Sequence, residues 1–123
     1  MTKKIILSPE APAPIGPYSQ AVEVNNTLYA SGQIALSVFE AGGSIEEETN
    51  QVMLNLQHIL TAAGYTFEQV VKCSIFVKDM GHFAAINEVY GRYFVQNPPA
   101  RETVEVARLP KDVRVEISCI AYK

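Results

Sequence analysis

Two charged side chains near the C-terminus could act on a small anionic substrate. Arg101 and Glu116 lie in stretches where polar and apolar residues alternate, which is typical of β-strands. A guanidinium offers two parallel donors that match a carboxylate, and it stays charged at physiological pH. A carboxylate beside a dry pocket can hold and polarise a water molecule. The pair could therefore bind a carboxylate and hold a water molecule.

The stretch 97–123 predicts a β-hairpin that presents both residues on a polar face. A turn is expected at residues 109–112, where proline fixes φ at the second position. Alternation then divides the two strands into an apolar face and a polar face. The predicted apolar face comprises Val104, Val106, Val113, Val115, Ile117, Cys119 and Ala121, and the polar face comprises Arg101, Thr103, Glu105, Arg114, Glu116 and Ser118.

This hairpin register raises an electrostatic problem. It places Glu105 opposite Glu116, where like charges repel. Arg101, Arg114 or a bound ligand must then balance the two acids. The residues alone allow two interpretations. Either the polar face is solvated, with Arg101 in an ion pair with one of the glutamates, or it forms a functional site.

Composition limits the class of protein. A chain of 123 residues, 48% hydrophobic and 19% charged, predicts one soluble globular domain spanning residues 1–123. The net charge of −3 gives no basic surface for nucleic acid, and no apolar run approaches the roughly 20 residues that span a membrane. The N-terminus is too short in apolar residues for a secretion signal. We therefore expect a cytoplasmic protein.

Other reactive side chains lack the surroundings that catalysis needs. Cys73 and Cys119 lie among aliphatic residues, which predicts buried thiols in a reducing compartment. His58 and His82 have no carboxylate or cysteine at metal-ligand spacing, so both are expected at the surface. We expect neither a metal nor a cofactor.

The order of elements predicts an α+β fold. The pattern reads β-β-β-α-β-α-β-β, with a first helix that starts at the capping box 44–47 and ends at Gly64. Asn25-Asn26 suits a tight hairpin turn. Gly32 interrupts the third strand, which indicates a bulge or a close approach of backbone to a ligand. One sheet with both helices on one face is expected.

Four blocks of this sequence resemble the Rid (RidA/YjgF) family of reactive-intermediate imine deaminases. They are IGPYSQAV at 15–22, SGQI at 31–34, INEVYGRYF at 86–94 and PARETVEVARLPKDVRVEI at 99–117. The blocks occur in the family's order and span nearly the whole chain. The resemblance implies a chorismate-mutase-like fold that closes into a homotrimer, with clefts between subunits.

The resemblance also implies roles for individual residues. Arg101 matches the arginine that binds the substrate carboxylate, and Glu116 the glutamate that positions water. Thr103 stands where relatives often have cysteine or serine, which act largely through backbone groups. Tyr18 matches a tyrosine that lines the pocket from a neighbouring subunit, and Gly32 matches a glycine whose backbone reaches the ligand. Asn87 lies at the edge of the apolar stripe of the second helix, and we expect it to bind substrate or to hydrogen-bond a strand backbone.

Two departures from the family pattern affect the expected substrate. Segment 35–43 lacks the family's usual longer turn with its D-P-x-T-G motif, and Ser118 replaces a frequent second glutamate. The function expected from the resemblance is cofactor-free hydrolysis of 2-imino acids such as 2-iminobutanoate and 2-iminopropanoate. The alternatives are a trimer that senses a small carboxylate for a partner protein, and an endoribonuclease or translation inhibitor, against which the negative charge counts.

Overall fold

A mixed sheet of six strands organises the computed structural model, which describes residues 2–123. The strands are β1 (Lys4–Ile6), β2 (Ala21–Val24), β3 (Thr27–Gln33), β4 (Val70–Val77), β5 (Ala100–Glu105) and β6 (Val115–Tyr122), and the helices are α1 (Leu36–Glu40), α2 (Ile45–Ala63) and α3 (Phe83–Gly91). Their order in the sheet is β1-β2-β3-β6-β4-β5. The predicted sequence of strands and two longer helices is confirmed, and α1 is an additional short helix. None of the helices that residues 2–123 form has the length and apolar character needed to cross a membrane.

Helix α2 forms where its end signals predicted it. The Ser44 hydroxyl accepts from the Glu47 amide at 3.0 Å, and the Glu47 carboxylate accepts from the Ser44 amide at 2.8 Å. Gly64 ends the helix with φ of 82°, a left-handed conformation that glycine adopts without strain. The apolar face of α2 packs against β3 and β6, so this helix covers the middle of the sheet.

The first hairpin also follows the sequence. Asn25 and Asn26 take φ values of 50° and 61°, so both central residues of the turn between β2 and β3 are left-handed. Strand β3 pairs with β6 on its other side, and the pairing register shifts between Ala30 and Gln33. The predicted irregularity at Gly32 is therefore confirmed as a bulge.

The predicted hairpin between the last two strands is wrong. Strand β6 lies between β3 and β4 and is antiparallel to both, whereas β5 lies at the sheet edge, parallel to β4. Glu105 is opposite Val77, and Glu116 is opposite Phe76 on the other side of β4. The two acids are therefore separated by a strand and do not repel each other directly. The alternation of polar and apolar residues indicates the two faces of a strand but not which strand lies beside it. The pattern therefore did not distinguish a hairpin from two separated strands.

The predicted faces of β5 are also inverted. Arg101 is opposite Cys73 and Thr103 is opposite Ile75, so both are on the face that packs against the helices. Val104 is on the outer face and is exposed. Val71 is exposed, at the point where the pairing of β4 with β6 shifts in register between residues 70 and 72.

One buried ion pair ties the helical layer to β6. The Glu48 side chain is fully buried, and its carboxylate accepts from the Arg114 amide at 2.9 Å and from Arg114 Nε at 2.7 Å. The guanidinium also donates to the Gly43 carbonyl at 2.6 Å. Arg114 thus binds α2 and the preceding loop instead of balancing Glu116 on the polar face, as the hairpin prediction had allowed.

Replacing Arg114 should destabilise the fold, because the Glu48 carboxylate would stay buried without a cation beside it. We expect Arg114→Leu to lower the free energy of unfolding by about 2–3 kcal/mol. Arg108→Leu is the matched control, since Arg108 contacts Asp112 at 3.6 Å with 82% of its side chain exposed. That change should cost less than about 1 kcal/mol. Urea unfolding measures both, and equal losses would contradict this account of the pair.

Candidate active site

Arg101 is held in one orientation by α3. Its Nη1 donates to the Asn87 Oδ1 at 2.5 Å. Its guanidinium carbon also lies 5.0 Å from the Tyr90 ring centroid and 5.6 Å from that of Phe83. Cation–π contacts of this kind hold the plane of the guanidinium against the aromatic rings. One nitrogen edge is used by Asn87, which leaves donors free for a ligand.

Arg101 forms no ion pair with any acid among residues 2–123. The sequence left open an ion pair with Glu116 or Glu105, and neither exists. Glu105 instead accepts from the Met80 amide at 2.8 Å, at the turn that precedes α3. The guanidinium charge is therefore available to an anion from outside the chain.

Thr103 presents its backbone groups at the sheet edge. The Val106 amide donates to the Val77 carbonyl at 2.9 Å, so the groups of residue 106 point towards β4. Because this direction alternates along a strand, the N–H and C=O of Thr103 point away from β4. No described strand pairs with that side of β5. The Thr103 hydroxyl is buried and has no hydrogen-bond partner, so a ligand would meet the backbone and not the hydroxyl.

Glu116 lies on the outer face of the sheet, against Gly32. A Cβ built on Gly32 would lie 2.8 Å from Glu116 Cδ and 3.0 Å from Cγ, which is closer than real contacts allow. The missing side chain at residue 32 thus makes room for the carboxylate. Glu116 is half-buried, and this burial raises the pKa of its carboxyl above the ordinary value. A carboxylate with a raised pKa is a better proton acceptor for an attacking water.

Tyr18 lies in the loop that precedes β2. The Ser31 amide donates to the Gln20 carbonyl at 2.9 Å, and its hydroxyl donates to the Ser19 carbonyl at 2.6 Å. These bonds tie the loop to the bulge of β3. Tyr18 and Gly32 line one pocket as a result, and the half-exposed Tyr18 ring faces solvent.

The candidate residues form two groups on opposite faces of the sheet. Arg101 is opposite Cys73, whereas Glu116 is opposite Phe76, three residues further along β4. Residues an odd number apart on a strand point to opposite faces. Within one chain, Arg101, Thr103 and Asn87 form the first group and Tyr18, Gly32 and Glu116 the second. The single polar face that was predicted to hold Arg101 and Glu116 together does not exist.

The other reactive side chains are placed away from both groups or are buried. Cys73 and Cys119 are buried as predicted, and burial raises the pKa of both thiols, that of Cys119 to about 12. A thiolate is therefore disfavoured at either position. His58 Nδ1 contacts the Glu10 carboxylate at 3.2 Å. Residues 2–123 contain no cluster of three or more metal-binding side chains.

The residues that brace Arg101 were missed as site residues. From the sequence, no site role is predicted for Phe83 or Tyr90. Phe83, Asn87 and Tyr90 recur at spacings of four and three, which places them on one helical face. This spacing of two aromatic residues around Asn87 is the sequence feature that could have identified them as site residues.

The chain is similar to known proteins along nearly its whole length. A family model described as endoribonuclease L-PSP matches residues 8–123. A RutC family protein of Synechocystis sp. is 51% identical, over 98% of this chain and 97% of that protein. A protein of Dermatophagoides farinae named 2-iminobutanoate/2-iminopropanoate deaminase is 47% identical, over 96% of this chain and 94% of that protein.

A solved structure of a related protein has the same fold as this chain. A Rid-family protein of Yersinia pestis matches with a TM-score of 0.92 and 41% identity, covering 99% of this chain and 100% of that one. The class is therefore an α+β protein of the Rid type with a chorismate-mutase-like fold, as the sequence predicted. The chain belongs to the endoribonuclease L-PSP family.

The contact between Gly32 and Glu116 generates a prediction. Gly32→Ala should lower the free energy of unfolding by about 1–3 kcal/mol, because the new methyl group overlaps the carboxylate. Gly91→Ala is the control, since a Cβ there meets nothing within 4 Å. The double variant Gly32→Ala/Glu116→Ala should recover most of the loss in a double-mutant cycle of unfolding experiments. Additive losses would show that the two positions are independent.

Proposed function

We propose that this protein hydrolyses reactive 2-imino acids, such as 2-iminobutanoate and 2-iminopropanoate, to 2-oxo acids and ammonia without a cofactor. The observation that carries the proposal is the environment of Arg101. Its guanidinium has no acidic partner among residues 2–123, contacts Asn87 and two aromatic rings, and belongs to the edge strand β5, whose outer side pairs with no described strand. The name of the relative from Dermatophagoides farinae supports the same substrate class.

The proposed site lies between two copies of the chain in a homotrimer. Arg101 and Glu116 are on opposite faces of the sheet, so one chain cannot place both against one small molecule. A second copy can bring the outer face that carries Glu116, Gly32 and Tyr18 against the β5 edge of the first. The exposed apolar residues of that outer face, which include Tyr29 and Val104, would then be buried by the neighbour.

The proposed reaction follows from these groups. Arg101 binds the substrate carboxylate, and its fixed plane presents C2 of the imine to a water held by Glu116 of the neighbouring copy. The water oxygen bonds to C2 while one of its protons passes to the Glu116 carboxylate and then to nitrogen. The carbonyl of Thr103 accepts a hydrogen bond from the developing amine. The carbinolamine then breaks its C–N bond while its O–H proton passes to the nitrogen through the Glu116 carboxylate, which yields the 2-oxo acid and ammonia.

Direct measurement of imine decay tests the function. An amino-acid oxidase acting on 2-aminobutyrate generates 2-iminobutanoate in place, and its decay is followed with and without this protein. We expect accelerated decay that scales with protein concentration. Binding of 2-oxobutanoate without any acceleration would support the sensor of small carboxylates and exclude the enzyme.

Arg101→Lys separates orientation from charge. Lysine keeps the positive charge but loses the planar fork and the stacking on the two rings. We expect kcat/KM for 2-iminobutanoate to fall at least about tenfold, or ~1.4 kcal/mol, with the melting temperature nearly unchanged. Arg92→Lys is the control, because Arg92 is exposed and its guanidinium donates to the exposed Glu88 carboxylate at 2.8 Å. Full activity of Arg101→Lys would remove this residue from the reaction.

Mixing two inactive variants tests whether the site lies between copies. Arg101→Ala and Glu116→Ala should each be inactive as homotrimers. In trimers refolded from an equal mixture, a site is intact when one side keeps Arg101 and the other keeps Glu116, so about a quarter of the sites should recover. Mixing either variant with the double variant should restore nothing. No recovery in the first mixture, with trimers formed, would place the site within one chain and refute this model.

A further inference from the structure

The two cysteines of the chain lie directly opposite each other on neighbouring strands. Cys73 on β4 is paired with Cys119 on β6, and both side chains are buried on the face that packs against the helices. Neither residue belongs to the two groups of candidate site residues, and the proposed reaction uses neither. A pair of opposed thiols is a candidate for a disulfide if the backbone brings the two side chains close enough.

The hydrogen-bond pattern of the sheet places these side chains close together. The Lys78 amide donates to the Arg114 carbonyl at 3.1 Å, so these two residues form a hydrogen-bonded pair. Hydrogen-bonded and non-hydrogen-bonded pairs alternate along antiparallel strands, and the register between Cys73 and Val77 is unbroken. Residue 73 is an odd number of positions from residue 78, so Cys73 and Cys119 form a non-hydrogen-bonded pair. The Cα atoms of such a pair are roughly 4.5 Å apart, within the roughly 4.4–6.8 Å that a disulfide spans.

The Cys73 thiol lies next to the residues that hold Arg101. Cys73 is opposite Arg101 in the parallel pairing of β4 and β5. The Tyr90 hydroxyl is buried and has no hydrogen-bond partner among residues 2–123. Burial raises the pKa of the Cys73 thiol, whereas the Tyr90 hydroxyl and the Arg101 guanidinium lower it. Burial and then the charge of Cys73 raise the pKa of Cys119 to about 12. Cys73 is therefore the thiol that ionises more readily.

We propose that a peroxide converts Cys73 and Cys119 into a reversible disulfide between β4 and β6, and that this bond weakens the binding of a carboxylate by Arg101. The formation of the bond is independent of the proposed function, whereas its effect on Arg101 rests on that function. Burial keeps both thiols protonated until an oxidant is present in excess. Such a pair fits the transient, redox-sensing disulfides that occur in reducing compartments.

The oxidation proceeds in two steps. The Cys73 thiolate attacks one oxygen of hydrogen peroxide and the O–O bond breaks, so the sulfur becomes a sulfenic acid and the departing hydroxide takes the thiol proton to form water. The Cys119 sulfur then attacks the sulfur of the sulfenic acid, whose hydroxyl leaves with the Cys119 proton as a second water. The two electrons lost by the sulfurs reduce the peroxide. An added dithiol reverses the bond by exchange.

The position of the new bond relative to β5 determines its effect. Strands β5 and β6 lie on opposite sides of β4, so a bond to Cys119 draws the Cys73 sulfur away from β5. The two sulfurs approach to about 2.0 Å when they are bonded. The space that this movement leaves lies next to Tyr90, whose ring centroid is 5.0 Å from the guanidinium carbon of Arg101. A ring that shifts into this space holds the guanidinium less firmly.

Mass spectrometry without reductant tests whether the disulfide forms. Incubation of the folded protein with hydrogen peroxide should remove two hydrogen atoms from the chain and link the two peptides that carry Cys73 and Cys119. Because these side chains are only 1% and 3% exposed, the reaction requires local opening and should be slower than that of an exposed thiol. Cys73→Ala and Cys119→Ala should each prevent the link. Two free thiols after prolonged incubation, or sulfinic acid without the link, would overturn the proposal.

Calorimetric binding of 2-oxobutanoate, the stable product, tests the effect on Arg101. We expect the oxidised protein to bind it at least about threefold more weakly than the reduced protein, which is the scale of one cation–π contact. Dithiothreitol should restore the binding. Cys119→Ala is the matched control, because it retains Cys73 and the exposed Met80, so peroxide should leave its binding unchanged. Equal binding by the fully oxidised and the reduced protein would overturn the link to Arg101.

These measurements separate the inference from the proposed function. If imine decay is not accelerated but the disulfide forms and weakens the binding of 2-oxobutanoate, the deaminase function fails and the inference stands. If the reduced protein accelerates the decay of 2-iminobutanoate and the oxidised protein is equally active and binds equally well, the function stands and the inference fails. Assays that use an amino-acid oxidase include catalase, because the oxidase forms peroxide together with the imine.

Discussion

The buried carboxylate of Glu48 is the constraint that fixes the central strand of the sheet. A fully buried anion must be paired, and Arg114 supplies both its backbone amide and its guanidinium. The Arg114 carbonyl also accepts from the Lys78 amide at 3.1 Å, so the start of β6 is held by α2 and by the end of β4. Glu116 follows only two residues later. A charge pair in the helical layer thus determines where the outer face carries its acid.

The central position of β6 then divides the chemistry. With β4 between β6 and β5, the alternation of side chains sends Glu116 outward and Arg101 towards α3. This separation explains how a cation and an anion remain unpaired in one small protein. Each keeps its charge for an external partner. An arrangement with both residues on one face would have allowed them to form an ion pair with each other.

The local signals predicted more of this molecule than the long-range ones. The capping box at Ser44, the C-terminal Gly64 and the left-handed Asn25-Asn26 turn are set by neighbours in the chain, so their residues specify them. The partner of a strand is not set locally, and the alternation in 97–123 fits either a hairpin or two separated strands. The predicted shared face of Arg101 and Glu116 was therefore wrong, and their roles stay predictions.

The division into two groups also separates Arg101 from the pocket beside Gly32. In the proposed site, the anchor is Arg101 with its braces on α3, and these contacts involve neither α1 nor the loop 12–20. The pocket beside Gly32 is built from those two segments, which are peripheral to the core of the sheet. Changes in these two segments would therefore leave the contacts of Arg101 and the central strand in place.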